Sequence, residues 1–119
     1  MVITEAGDAP NVVGLVYIAA FIPDQGESAV SLLSTMSAAN NDMAKAAGGA
    51  PVTAVAWHQK KSWALIATRD HNINPDLERK MAKRAGSETI EVPASHAVYL
   101  SKPDEVARLI ERAAKASAQ

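Results

Sequence analysis

The sequence predicts an α/β fold: a small parallel three-stranded sheet flanked by helices, forming a single domain over residues 1–119. Three observations lead there. Residues 12–20 and 63–67 are almost continuously apolar, as suits strands covered on both faces, and residues 89–92 form a third short strand. Stretches with helical spacing separate them, so the order is strand, helices, strand, helix, strand, helix, for which parallel pairing through right-handed crossovers is the common solution. Asp70 and His96 each follow a strand directly, at the edge where open parallel sheets place their chemistry.

Taken in order, Met1–Gly7 reads as the end of a helix, with Val2, Ile3 and Ala6 on one face and Gly7 closing the turn. The first strand follows, and Gly14 within it is either a close-packing point, the favoured reading, or a bulge. Ile22–Glu27 (IPDQGE) is a turn. From Ser28, an N-cap, to about Ala47 the positions Ala29, Leu32, Leu33, Met36 and Met43 recur at helical spacing, with a break expected within 37–42. Gly48-Gly49-Ala50-Pro51 is a joint, and Val52–Trp57 is expected as a short helix. After the central strand, Asn74-Pro75-Asp76 supplies an N-cap, a proline at the first helical position and an early acid. That helix turns Leu77, Met81 and Ala85 inward and stops at Gly86. Ser101-x-x-Asp104 resembles a capping box for the last helix, whose apolar stripe is Val106, Leu109, Ile110 and Ala113, with fraying expected from Ala116.

Composition narrows the function classes. With 12 basic and 13 acidic residues and 4% aromatics, the chain has neither the charge nor the stacking surface for nucleic acid, and no attraction to anionic membrane. It contains no cysteine, which excludes disulfides and thiolate metal sites. No apolar run reaches the roughly 18 residues of a membrane span, and Met1–Glu5 lacks the features of a signal peptide. The cytoplasm is the expected location.

Three segments carry a family resemblance: Asn11–Gly26 (NVVGLVYIAAFIPDQG), Ala64–Ala85 (ALIATRDHNINPDLERKMAKRA) and Ser95–Pro103 (SHAVYLSKP). Together they resemble the carboxyl half of the α/β-hydrolase family, nearest its small-ester and lactone-type bacterial members. The resemblance implies that Asp70 is the acid and His96 the base of a Ser-His-acid triad, in which the acid orients the imidazole and the base takes the serine proton. It implies too that Met1–Gly7 corresponds to the helix after the nucleophile elbow, and that residues 28–57 are a reduced lid. The elbow motif Gly-x-Ser-x-Gly is nowhere in the chain, because no two of its glycines (7, 14, 26, 48, 49 and 86) are four apart.

The expectation is therefore a truncated α/β-hydrolase fold that is not a competent hydrolase alone, persisting as a self-associating scaffold or relic. One alternative is a weak or partner-dependent hydrolase of small carboxylic esters, serine-type or His-based. Another is a non-catalytic binder of a small apolar ligand, lined by Leu32, Leu33, Met36 and Trp57. Ser28 in Gly26-Glu27-Ser28 is half an elbow, but Val30 occupies the place of the final glycine, which favours the N-cap role. His58, His71, His96 and Asp70 match no zinc spacing, so neither metal nor cofactor is expected. His71 reads as a loop residue that can border a substrate. Trp57 and Trp63 read as packing residues. Arg79, Lys80, Lys83 and Arg84 form a solvated basic face diluted by Glu78 and Glu88. A three-stranded sheet with apolar edges invites pairing, so a homodimer or homotetramer burying the first strand and the lid helix is expected.

Overall fold

A computed structural model of the chain describes residues 2–35 and 49–118. Its centre is β2 (Ser62–Ala67), every residue of which is buried. β1 (Leu15–Ile18) pairs with one side of β2 and β3 (Glu88–Val92) with the other, both in parallel, with Leu15 opposite Ser62 and Ala67 opposite Val92. The remaining elements are α1 (Val2–Ala6), α2 (Ala29–Ser34), a 3-10 turn at Ala56–His58, α3 (Pro75–Arg84), α4 (Val98–Ser101) and α5 (Pro103–Ser117).

Alternation along the strands divides the core between the two faces of the sheet. Leu15, Tyr17 and Ala64 pack with Leu32, Leu77 and Met81 on one face. Trp63, Leu65 and Ala67 pack with Val98, Leu109 and Ala113 on the other. The Thr4 hydroxyl bonds the Tyr17 hydroxyl at 3.0 Å, a buried link that ties α1 to β1. A Cβ on Gly14 would stand 2.9 Å from both Ser117 Oγ and the Trp63 ring, so this glycine is the expected close-packing point between β1, β2 and the end of α5.

The caps of α2 and α3 follow the sequence closely. Ser28 Oγ accepts from Ser31 N at 3.1 Å while Ser31 Oγ accepts from Ser28 N at 2.8 Å, a reciprocal capping box. Asn74 Oδ1 accepts from Asp76 N at 2.8 Å, Pro75 opens α3, and Gly86 follows its end with φ at +63°.

Four expectations are corrected. β1 is shorter than residues 12–20 and alternates between buried and half-buried, with Val13 exposed, because it has β2 as its strand neighbour on one side and no strand on the other among the described residues. Val52–Trp57 is not a helix. Val52 N donates to Glu27 O and Gly26 N to Val52 O, each at 2.9 Å, so its backbone is taken up by the turn before α2 and only the 3-10 turn remains. Ser101 caps nothing: it ends α4, and Lys102 (φ −139°, ψ 54°) starts α5 instead, without a side-chain cap. The stripe of α5 is narrower at Ile110, which is 48% exposed, but it extends further, since Ala116 packs against the core and the helix runs to Ser117. Met36 and Met43, the break at 37–42 and Gly48 lie outside the described residues, as does much of the segment read as a lid.

Candidate functional site

The sheet brings the ends of β2 and β3 side by side, and the pairing runs on beyond both strands. Thr68 N donates to Val92 O at 2.9 Å and Arg69 N to Ala94 O at 3.0 Å, which stitches the two loops together where Asp70 and His96 stand. Asp70 closes a turn through its N–H to Ala67 O at 3.0 Å. Its Oδ1 accepts from Asn72 N at 2.7 Å and from Ile73 N at 3.1 Å, leaving Oδ2 for His96 Nδ1 at 2.7 Å.

The Asp70 side chain is fully buried, whereas that of His96 is 38% exposed. A carboxylate only accepts, so Nδ1 carries the proton in this contact and Nε2 is the nitrogen left to take one from elsewhere. Two backbone donors and the imidazole fix the carboxylate in place. This is the arrangement in which an acid holds a histidine in the tautomer of a general base. Both residues singled out from the sequence are thus brought together.

The other residues weighed in the sequence go to different tasks. Ser28 is a buried helix cap. His58 Nε2 meets Asp24 Oδ1 at 3.0 Å and its ring stands edge-on to Trp57, with centroids 4.3 Å apart. His71 is exposed in the loop after Asp70. Among the described residues no group of three or more histidines and acids is placed to hold a metal ion. Trp63 is buried, with its indole N–H on Glu88 at 3.1 Å, and Trp57 donates to Pro23 O at 2.8 Å. Leu32 and Trp57 belong to the core cluster, and Met36 lies outside the described residues.

On the basic face of α3, Arg79 is held by Asp76 and Glu91 and Arg84 by Glu27, at 2.7–2.8 Å. Glu78, expected to dilute that face, instead points inward at 2% exposure. Among the described residues, neither of its carboxyl oxygens has a hydrogen-bond partner. Burial, first, and the neighbouring Asp70 charge, second, push its pKa up to about 8. The signal was present in the sequence: Glu78 shares an i, i+3, i+4 stripe with Leu77, Met81 and Ala82, all buried. Ala19, just past β1, was also missed. It has φ at +43°, a conformation that costs a residue with a Cβ roughly 1–2 kcal/mol. Nothing in the local composition announces it.

An open apolar groove of about 270 Å³ runs along the free side of β1, lined by Val2, Ile3, Val12, Gly14, Leu15 and Val16. Among the described residues no helix is long and apolar enough to cross a membrane.

A family model described as the alpha/beta hydrolase family matches residues 4–109, most of the chain, and the parallel sheet with flanking helices agrees with it. The chain belongs to the α/β-hydrolase family. No curated protein matches it.

Proposed function

We propose that this chain carries the acid and base of an α/β-hydrolase centre without a nucleophile of its own, and that alone it is not a competent esterase. The observation that carries this is the 2.7 Å contact of His96 with the buried Asp70 carboxylate at the ends of two parallel strands, in a sequence with no Gly-x-Ser-x-Gly. The elbow serine and its oxyanion amide contribute several powers of ten in rate, which an Asp–His pair does not replace. The test is hydrolysis of an activated aryl ester by the intact chain beside Asp70→Ala and His96→Ala. A slow, non-saturating reaction is expected.

A second proposal is weak or partner-dependent ester hydrolysis, and the oriented imidazole favours it. Acting on water alone, a positioned base of this kind contributes about 10²–10⁴-fold. A cytoplasmic setting is part of the same proposal, supported by a cysteine-free composition that suits a reducing compartment.

Self-association belongs to the proposal as well. Val2, Ile3 and Val13 are 77%, 41% and 69% exposed around the groove at the free side of β1, an apolar edge of the kind that pairs with another chain. A symmetric homodimer or homotetramer burying β1 and α2 is expected at micromolar concentration. Sedimentation as a compact 12.5 kDa monomer ends that part of the proposal.

A further inference from the structure

β1 stands at the edge of the sheet, and its free side carries a row of unused backbone groups. Leu15 N donates to Lys61 O at 3.0 Å and Ala19 N to Leu65 O at 2.9 Å, so the odd-numbered residues of the strand face β2. In a parallel pair the residues between them point the other way. The N–H and C=O groups of Gly14, Val16 and Ile18 are therefore directed outward, where no strand stands among the described residues.

Natural sheet edges are commonly guarded by a lysine, a proline or a bulge. This one has none of the three. The chain holds no charged residue from Ala9 to Pro23 and no proline within residues 11–18, and the register of β1 on β2 runs without interruption. Along the same free side lies the apolar groove of about 270 Å³, to which α1 contributes Val2 and Ile3, 77% and 41% exposed. A row of outward backbone groups selects an extended segment, and an uncharged groove selects an uncharged one.

We propose that the occupant is β1 of a second copy, paired antiparallel across a two-fold axis, so that two three-stranded sheets become one sheet of six strands. The inference rests on the self-association proposed above and names its surface and its pairing. A two-fold axis between identical edges sets them antiparallel, and an uncharged strip opposite itself meets no like charge. The longest register is centred on Val16: it faces Val16 of the second copy, and Gly14 faces Ile18 of the second copy at either end. All three outward residues then exchange their bonds. Ala19, with φ at +43°, ends the extended stretch and stops a register centred further along. The strip is small beside the roughly 1,200 Å² that a stable interface buries, which makes the association a weak, micromolar one.

The experiment uses the intact chain, which holds no cysteine, so a single introduced thiol can be bridged only to a second copy. Val16→Cys is treated with a short bis-maleimide, beside Ile110→Cys on the half-exposed side of α5 as control. Opposed residues of the central pair stand about 5.5 Å apart at Cα, so Val16→Cys is expected to be captured as a covalent dimer and Ile110→Cys to stay a monomer. Val16→Pro removes an N–H that the pairing with β2 does not use, a place where an edge strand tolerates proline. It is expected to keep the fold and to raise the dimer dissociation constant, read by sedimentation, at least about tenfold, because both central bonds are lost. A wild-type dimer that is neither captured through Val16→Cys nor weakened by Val16→Pro overturns this pairing and leaves self-association through another face. A wild type that sediments as a 12.5 kDa monomer at micromolar concentration overturns both. Capture through Val16→Cys alone decides should Val16→Pro fail to fold.

Discussion

Glu78→Gln is expected to stabilise the chain by several kcal/mol above pH 8 and to change it little at pH 5. The sign follows from proton linkage. In the folded chain the Glu78 pKa is raised from an ordinary 4.5 to about 8. Between those two values the unfolded chain binds fewer protons at this site than the folded one, so stability falls as pH rises through the window. Below it, both states are protonated and nothing is lost. The slope is about 1.4 kcal/mol per pH unit, which amounts to about 5 kcal/mol across the full window. Glutamine has no proton to lose and removes the slope. The exposed carboxylates Glu88 and Glu91, whose arginine partners lower their pKa values, act in the opposite direction, and they cancel when variant and wild type are compared at each pH. Urea midpoints at pH 5 and above pH 8 make the comparison. Two curves that run parallel across this range contradict a buried, proton-holding Glu78.

Leu65→Ala is expected to cost about 2–5 kcal/mol, a large part of the roughly 5–15 kcal/mol that holds a domain together. Leu65 is 1% exposed on the central strand and packs in the cluster of Trp63, Val98, Leu109 and Ala113. Truncation leaves a cavity that two paired neighbour strands and α5 are not free to fill. The strand also leads to Asp70 and the cluster includes Val98, two residues past His96, so loosening here reaches both members of the pair. Ile110→Ala, on the half-exposed side of α5, is the control and should cost far less. Urea midpoints with an unchanged slope check this, and a cost below about 1 kcal/mol would show that β2 is not the packed centre of the chain.

What was legible in the sequence came from strong, local signals. The unbroken apolar run of β2 places it at the centre, and Asn74-Pro75 with Gly86 bounds α3 nearly to the residue. Asp70 and His96 were found because they stand three and four residues past the ends of neighbouring strands. The failures came from tertiary context. β1 has the apolar composition of a buried strand, yet it stands at an edge, which no pattern of its own residues reveals. Ser101-x-x-Asp104 has the letters of a capping box, but Ser101 is already engaged in α4. Glu78 was read with the charged residues beside it rather than with the stripe it belongs to, and the stripe decided where it points.

The most direct measurement is the rate of hydrolysis of an activated aryl ester by the purified chain, taken over a wide range of ester concentration and repeated with His96→Ala. A chain that holds Asp70 and His96 in contact but lacks an elbow serine should give a rate linear in ester, with no burst and no saturation. His96→Ala should remove no more than the contribution of a base acting on water, about 10²–10⁴-fold over the uncatalysed reaction. Sustained, saturable turnover that His96→Ala abolishes would contradict the account, since it would require a nucleophile within these 119 residues.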